Sequence, residues 1–258
     1  MNIYREREQT WTTPEGYTWD ICDDILKQAH CIIGGTTGSG KSTLLHSILF
    51  SALIDSPVRV QFILIDLKKG LALRKYKDLP HTLAFASTPE EAINALHKAE
   101  DIMEYRYSRV LKSNADEYDG SDIYVIIDEL ADLMQTAKAK VLPVLSRLMR
   151  LGRAARVHVI GATQSPSRSH GGGIPAELAV NTTSALCLRT RSAIESRQVC
   201  GVSGAELLPE HGVGIYWNPA GQPHKVAVPQ TDKHDLEERV NYWKKARPEG
   251  RLFRWFSR

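Results

Sequence analysis

The hydrophobic pattern alternates between short apolar runs and stretches with helical spacing. The apolar runs that predict buried strands are 31–33, 60–65, 123–127, 157–162, 185–188 and 213–217. Helices are predicted at 42–53, from Thr88 onward, and at 144–151. Strands that alternate with helices favour a mostly parallel sheet with helices on both faces. We therefore predict an α/β fold.

The helix that follows Thr88 has the clearest local signals. Thr88 is suited to cap its first turn, Pro89 to occupy the first helical position, and Glu91 to complete a capping box. Apolar positions then recur every three or four residues, which predicts one buried face: Ala92, Leu96, Ala99, Met103, Tyr107 and Val110.

The chain divides into three predicted parts. Residues 1–30 are polar and aromatic, and we expect a lead-in that packs on the main domain. Residues 31–232 contain the alternating strands and helices of that main domain. Residues 233–258 predict one amphipathic helix and a basic, aromatic tail.

Composition excludes several classes of protein. The 258 residues include 33 Lys and Arg and 30 Asp and Glu, a net charge of +3, and 42% are hydrophobic, which excludes global disorder. No run approaches the roughly 18 apolar residues of a membrane span, and the charged start has no apolar signal region. We expect a soluble, cytoplasmic protein without a membrane segment. The four widely spaced cysteines argue against zinc ribbons and redox motifs, and Cys31 and Cys187 are predicted to be buried.

Positive charge is concentrated in one part of the chain. Residues 133–176 contain no Asp or Glu, and the tail after residue 244 is also basic. The positive residues of the acid-free stretch are Lys138, Lys140, Arg147, Arg150, Arg153, Arg156 and Arg168. This distribution favours a polyanionic partner, although basic runs are often only solvated surfaces.

A glycine-rich segment, GTTGSGKS at residues 35–42, matches the phosphate-binding pattern G-x-x-x-x-G-K-[ST] between a predicted strand and a predicted helix. Glycines let backbone N–H groups surround phosphate oxygens, Lys41 would reach the β and γ phosphates, and the Ser42 hydroxyl would complete a Mg²⁺ site. The alternative is an ordinary glycine turn before a helix. We predict that ATP is bound by Gly35, Thr37, Gly38, Ser39, Gly40, Lys41, Ser42 and Thr43.

Two more strands end in polar residues. Asp128 is suited to hold Mg²⁺ and Glu129 to act as the base that deprotonates the attacking water, although both could be solvated acids at a strand end. Gln164 could contact the γ-phosphate or its water and report hydrolysis to the next loop. A structural hydrogen bond to a neighbouring strand is the alternative for Gln164.

The chain resembles the FtsK/SpoIIIE family of DNA translocases, within the FtsK–HerA group of ring ATPases. The resemblance extends from about residue 30 to residue 216. It depends on blocks in the family's order: HCIIGGTTGSGKS, FILIDLKKGLAL, YVIIDELADLM, RLMRLGRAARVHVIGATQSPS, RTRSAIESR and GAELL.

The resemblance implies a RecA-like P-loop NTPase of the ASCE type that assembles as a hexameric ring around double-stranded DNA and moves the DNA with ATP. Arg153 matches the arginine that family members offer to the neighbouring subunit's ATP, with Arg150 as the second candidate. Such an arginine is worth about 10³–10⁵ in rate in GTPases. The alternative is a basic helix end stabilised by the helix dipole.

The resemblance also implies two DNA-binding loops, at 165–175 and around RTRSAIESR, and assigns DNA contacts to Arg168, Arg191 and Arg197. The family usually has arginine at Ser165, a lysine near Ala179 and aspartate at Glu195, so this chain departs from the pattern there.

The leading interpretation is a compact ring motor that moves double-stranded DNA through its backbone. The compact organisation suits a plasmid, phage or conjugative element, and the C-terminal tail could bind DNA, a neighbouring subunit or a partner protein. The alternative is an FtsK/SpoIIIE-type secretion ATPase that moves polypeptide. The acid-free stretch favours nucleic acid over polypeptide.

Overall fold

The computed structural model describes residues 21–164, 166 and 173–246. In this part of the chain, eight strands form one sheet in the order β3-β2-β4-β5-β1-β6-β7-β8. The strands are β1 (His30–Gly34), β2 (Val60–Ile65), β3 (Thr82–Ala86), β4 (Asp122–Ile127), β5 (Val157–Thr163), β6 (Ser184–Cys187), β7 (Val213–Trp217) and β8 (His224–Ala227). The helices are α1 (Ile21–Lys27), α2 (Lys41–Ala52), α3 (Pro89–Ser113), α4 (Leu130–Leu151), α5 (Ala176–Ala179), α6 (Ala193–Cys200) and α7 (Lys233–Lys245).

The sheet is parallel from β3 to β6, and β7 and β8 continue it in antiparallel pairing. One core joins the sheet to α3, α4 and α6, and a second core on the other face joins it to α1, α2 and α7. The predicted α/β fold with helices on both faces is therefore confirmed. All four cysteines are buried and none forms a disulfide, and the burial of Cys31 and Cys187 agrees with the prediction.

The register of the parallel strands brings their carboxyl ends to one level. Ile65 pairs with Ile127, Ile127 pairs with Gly161, and Gly34 pairs with Thr163. The segments that follow β1, β2, β4 and β5 therefore leave the sheet at the same edge, which is the usual place for a ligand site in an open parallel sheet. We call this the carboxyl edge, and the opposite side the amino edge.

Helix α3 begins as its sequence predicts. The Thr88 hydroxyl accepts the Glu91 N–H, and the Glu91 carboxylate accepts the Thr88 N–H, so the capping box is present. The buried face is wider than the predicted one, since Ala95, Ile102 and Arg106 are also buried, whereas Tyr107 is only half-buried.

Helix α4 is much longer than the predicted helix at 144–151. It begins directly after Glu129. The part before residue 144 was not predicted because Pro143 lies inside the helix. The backbone angles of Ala137 are also non-helical. Proline removes one intrahelical hydrogen bond and usually ends a helix. The helix is kinked at Ala137, and buried side chains from Leu130 to Met149 stabilise the parts on both sides of the kink by packing on the sheet.

The two terminal parts are described only where they adjoin the sheet. Residues 1–20 and 247–258, with the predicted tail, lie outside the described residues. Helix α7 packs on its own domain: Leu236 and Val240 are buried, and the Trp243 indole donates a 2.8 Å hydrogen bond to the Leu53 carbonyl. None of the helices in the described ranges combines the length and apolar character that a membrane crossing needs.

Candidate nucleotide-binding and catalytic site

The glycine-rich segment lies between β1 and α2 at the carboxyl edge. Gly38 and Gly40 have φ angles of 83° and 94°, in the left-handed region that L-residues with a side chain seldom adopt. A side chain at Gly35 would place Cβ 2.5 Å from the Ser39 hydroxyl, so the turn closes too tightly for any other residue there. The three glycines thus give the segment the compact curl of a phosphate-binding loop.

The residues present fit a nucleoside triphosphate with Mg²⁺. Helix α2 starts at Gly40 without a side-chain cap and without an acidic residue in its first turn, so its free N–H groups and dipole favour an anion. The Ser39 hydroxyl is buried and has no hydrogen-bond partner among the described residues, which is the state expected of a group that awaits a ligand. Oxygen donors suited to Mg²⁺ are the exposed Ser42 hydroxyl and the Asp128 carboxylate.

Lys41 lies against the acidic end of β4. Its ammonium donates to the Asp128 carbonyl oxygen at 2.7 Å and to Asp128 Oδ1 at 3.3 Å, and it lies 3.9 Å from Glu129 Oε2. All three side chains are almost completely buried. Buried charges are tolerated only when they are paired, so the lysine and the two carboxylates form one electrostatic unit.

Gln164 joins the phosphate-binding loop to Glu129. Its backbone N–H donates to the Glu129 carboxylate at 3.0 Å and 3.2 Å, and its side-chain oxygen accepts the Thr37 hydroxyl at 2.8 Å. The structure therefore brings Gln164, Lys41, Asp128 and Glu129 together at the carboxyl edge.

Lys68 also belongs to this site, and sequence reasoning missed it. Its ammonium lies 3.3 Å from Glu129 Oε2 and approaches from the segment after β2. The available signal was the position of the lysine just after a strand that ends at the same edge as β4.

Arg153 lies at the opposite side of the molecule. It is exposed in the turn between α4 and β5 and lines a cavity of 380 Å³ at the amino edge, with Lys27 and Asp55 on the facing wall. The seven residues of β5 separate this turn from Gln164, a distance of about 23 Å for an extended strand. Arg153 therefore does not reach the phosphate-binding loop of its own chain. Arg150, the second candidate, is also exposed.

A buried network fixes the turn that carries Arg153. The Arg106 guanidinium donates to the carbonyl oxygens of Ser121, Ala155 and Arg156 at 2.7, 3.1 and 3.3 Å. Arg156, at a φ of 53°, forms two hydrogen bonds with Asp122. Burial alone raises the pKa of Asp122, but the hydrogen bonds from His158 and Arg156 outweigh it, so its pKa lies below the ordinary value. The network anchors the end of the turn that precedes β5 to α3 and to the start of β4.

The predicted DNA-binding residues are not brought together by the described part of the structure. Arg168 and most of the loop at 165–175 lie outside it. Arg191 and Arg197 are exposed near α6. Glu195, which stands where the family has aspartate, accepts the Arg191 backbone N–H at 2.9 Å and so has a structural role in the start of α6.

Part of the acid-free stretch has a structural explanation. Arg147 pairs with Glu100 and Glu104 on α3, and Arg156 pairs with Asp122. Lys138, Lys140 and Arg150 are exposed on α4. The positive surface is therefore smaller than the sequence count suggests.

The sheet order and the site define the class of the protein. Strand β5 separates the phosphate-loop strand β1 from the acidic strand β4, which is the arrangement of ASCE-type, RecA-like P-loop ATPases. The FtsK/SpoIIIE family model matches residues 19–122 and 113–168. The chain belongs to the FtsK/SpoIIIE family.

Individual relatives agree with this assignment. A DNA translocase FtsK from Lactiplantibacillus plantarum is 34% identical over 247 residues, which cover 87% of this chain but 30% of the relative. This chain thus spans less than a third of that relative's length. The cytoplasmic domain of the type VII secretion ATPase EccC from Thermomonospora curvata superposes with a TM-score of 0.71 at 25% identity. The match includes 86% of this chain and 29% of the EccC chain. The pCW3 conjugation coupling protein TcpA, in its monomer form with ATPγS, has a TM-score of 0.72 at 23% identity. The match includes 85% of this chain and 66% of the TcpA chain.

Proposed function

We propose that this chain is an ATP-hydrolysing motor that assembles as a ring, binds double-stranded DNA and moves it through contacts to the phosphate backbone. The observation that carries the proposal is the division of the catalytic groups between two edges of one sheet. Lys41, Asp128 and Glu129 lie at the carboxyl edge, and Arg153 lies at the amino edge. A cyclic, head-to-tail assembly places one edge of each copy against the other edge of the next.

The reaction follows from the positions of these groups. Lys41 leaves the carboxylates for the β and γ phosphates, and the N–H groups of the glycine loop bind the phosphate oxygens. Ser42 and Asp128 would hold Mg²⁺, which neutralises charge on the phosphates. Glu129 accepts a proton from the water that attacks the γ-phosphorus, and ADP leaves with the electrons of the broken P–O bond. Arg153 of the next copy supplies positive charge to the departing phosphoryl group.

Gln164 connects the chemistry to the cargo. It touches the phosphate-binding loop through Thr37 and the base Glu129 through its backbone, and the predicted DNA loop follows it directly. A change in the γ-phosphate therefore alters the start of that loop. The loop would contact phosphates, which carry no sequence information, so movement is expected to be independent of base sequence.

The DNA assignment is supported by the named activity of the relatives, which are DNA translocases. It is also supported by the exposed positive side chains of Lys138, Lys140 and Arg150 on α4. The test is ATPase activity with and without duplex DNA at two salt concentrations, on protein whose oligomeric mass is measured in parallel. Turnover should rise with any duplex sequence, and this stimulation should weaken at high salt because DNA binding releases counterions. Protein that stays monomeric with ATP and duplex, or that hydrolyses ATP at an unchanged rate, would contradict the proposal.

Point variants assign the roles. Lys41→Ala should abolish nucleotide binding or turnover, and Glu129→Gln should bind ATP without hydrolysing it. Arg153→Ala should lose turnover and recover it in mixed assemblies with Lys41→Ala subunits, since those still offer an intact arginine. Failure of this rescue would remove the role of Arg153 in trans.

A second candidate function is the movement of polypeptide. It is favoured by the likeness to the secretion ATPase EccC, at 25% identity and a TM-score of 0.71. ATPase activity that no duplex stimulates, but that an unfolded polypeptide does, would support this candidate over the DNA motor.

A further inference from the structure

The segment after β2 is built around a completely buried carboxylate. Asp66 Oδ1 accepts the Lys68 N–H at 3.1 Å, and Oδ2 accepts the N–H groups of Ala72 and Leu73 at 2.8 and 2.9 Å. Hydrogen bonds to an ionised acceptor are among the strongest in proteins. They fix residues 66–73 as one loop, which we call the Asp66 loop.

Close packing against β3 restricts the Asp66 loop further. Lys69 and Gly70 follow each other with φ angles of 58° and 72°. A Cβ on Gly70 would lie 2.8 Å from the Phe85 ring, so the loop also lies tightly against β3. The position of Lys68 is therefore set by the fold rather than by chance on a flexible surface.

The Asp66 loop delivers Lys68 to one particular oxygen of Glu129. The ammonium lies 3.3 Å from Oε2, and the lysine side chain is 38% exposed whereas that of Glu129 is 4% exposed. Lys41 approaches the same oxygen at 3.9 Å. The Gln164 N–H lies between the two oxygens, 3.0 Å from Oε1 and 3.2 Å from Oε2, whereas both ammonium groups approach Oε2. The two oxygens of Glu129 thus have different surroundings.

Nucleotide binding changes this balance. Lys41 must leave the carboxylates when it moves to the phosphates, and Glu129 then keeps Lys68 and the Gln164 N–H as neighbours. A buried carboxylate that loses its cation is strongly destabilised unless another cation remains beside it. Lys68 is the cation that remains beside Oε2 of Glu129.

We propose that Lys68 is a positioning residue for hydrolysis: it holds Oε2 of Glu129 so that Oε1 faces the attacking water. This inference rests on the proposed role of Glu129 as the base. Lys68 touches neither the nucleotide nor the water, and its effect passes entirely through Glu129.

The experiment compares Lys68→Met with Lys68→Arg, and uses Lys69→Met as the matched control. Lys69 is an exposed neighbour in the same loop, so its removal takes away the same charge without touching Glu129. For each variant, kcat is measured from steady-state ATP hydrolysis, and the Kd of ATPγS is measured separately. The unfolding midpoint shows whether the fold is intact.

Lys68→Met should lower kcat about ten- to a hundredfold, because misplacing a catalytic group by about 1 Å can cost that much. The Kd of ATPγS should stay within about threefold, Lys68→Arg should restore part of kcat, and Lys69→Met should resemble the unaltered protein. A merely structural role would instead lower the unfolding midpoint and leave the arginine variant no better than the methionine variant.

Three results would overturn the inference: an unchanged or raised kcat in Lys68→Met, an equal loss in Lys69→Met, or a loss in nucleotide affinity as large as the loss in kcat. The last result would make Lys68 a phosphate ligand. Glu129→Gln is measured in parallel. If it still hydrolyses ATP, the proposed base is wrong, whereas an inactive Glu129→Gln with a fully active Lys68→Met contradicts only the role of Lys68.

Discussion

The stability of this protein should fall steeply between pH 7 and pH 5, because two histidines are buried in the neutral form. His81 is fully buried, and its Nε2 lies 3.0 Å from the Asp55 carbonyl, so Nε2 carries the hydrogen. Its Nδ1 is buried and unpartnered within the described residues. The ring lies 5.8 Å from Phe62 and 4.7 Å from Trp243. Protonation would therefore bury a second N–H without an acceptor.

Both histidines are far from their ordinary pKa. Burial lowers the pKa of His81 from 6.5 to about 4, although the Asp55 carbonyl opposes this in part. Burial, followed by the neighbouring His158, lowers the pKa of His30 to about 3. The His30 ring accepts the Val159 backbone N–H through Nδ1, which is possible only for a neutral imidazole.

The sign and size of the effect follow from proton linkage. Below pH 6.5 the unfolded chain carries a proton on each of these histidines, whereas the folded chain does not. For each histidine, the free energy of unfolding therefore falls by about 1.4 kcal/mol per pH unit. From pH 7 to pH 5 this amounts to about 2 kcal/mol for each, or about 4 kcal/mol together. His46, whose pKa is lowered to about 4 mainly by burial, adds a contribution of the same sign and similar size. A typical domain has about 5–15 kcal/mol in total. The lowered pKa of Asp122 acts only at more acidic pH, since that carboxylate stays ionised in this range.

The assay is urea unfolding at pH 7, 6 and 5 for the unaltered chain, His81→Gln and His97→Gln. His97 is exposed on α3 and serves as the control for loss of a histidine as such. His81→Gln should be less stable at pH 7, but the difference should shrink by about 2 kcal/mol at pH 5 because the variant no longer excludes a proton. A difference that is constant with pH would refute proton exclusion at His81, and a flat profile of the unaltered chain would refute it for both histidines.

Three further substitutions test other parts of the structure. Arg106→Met leaves one buried and two partly buried carbonyls without their donor and should cost about 3 kcal/mol. In mixed assemblies, Arg106→Met subunits should fail to rescue Arg153→Ala subunits because Arg153 is no longer presented correctly; full rescue would contradict the network. Gly34→Ala places a Cβ 2.3 Å from Val199 and should cost about 1–3 kcal/mol, and Val199→Ala in the same chain should restore part of that in a double-mutant cycle. Trp243→Phe keeps an aromatic side chain but loses the hydrogen bond to the Leu53 carbonyl, and should lower the free energy of unfolding in urea by about 1 kcal/mol. A loss near zero would show that packing alone holds α7.

Features that depend on neighbouring residues in the sequence could be predicted well. The glycine loop before α2, the acidic end of β4 and the capping box of Thr88 each need only a few adjacent residues, and the structure contains all three. Their chemistry is local, so the printed sequence is sufficient.

Features that depend on which strands are neighbours could not be predicted in the same way. Lys68 and Glu129 are 61 residues apart in the chain and meet because β2 and β4 are adjacent. The antiparallel pairing of β7 with β6, from which α6 separates it in the chain, likewise has no local signal. Arg106 is a further case. A charged side chain on a helix is normally expected to be exposed. Its burial can be predicted only when the distant carbonyl groups that accept its hydrogen bonds are known.

The two cations at the proposed catalytic interface can be distinguished by the chain that supplies them. Lys68 contacts Glu129 of its own chain, whereas Arg153 is too far from its own phosphate-binding loop and would serve the next copy. In a random equal mixture of Lys68→Met and Arg153→Ala subunits, about one head-to-tail interface in four combines an intact Lys68 with an intact Arg153. Activity should therefore reappear in that mixture. A mixture of Lys68→Met with Glu129→Gln should not exceed the residual activity of Lys68→Met, since no chain then carries both residues, and recovery above that level would show that Lys68 acts across the interface.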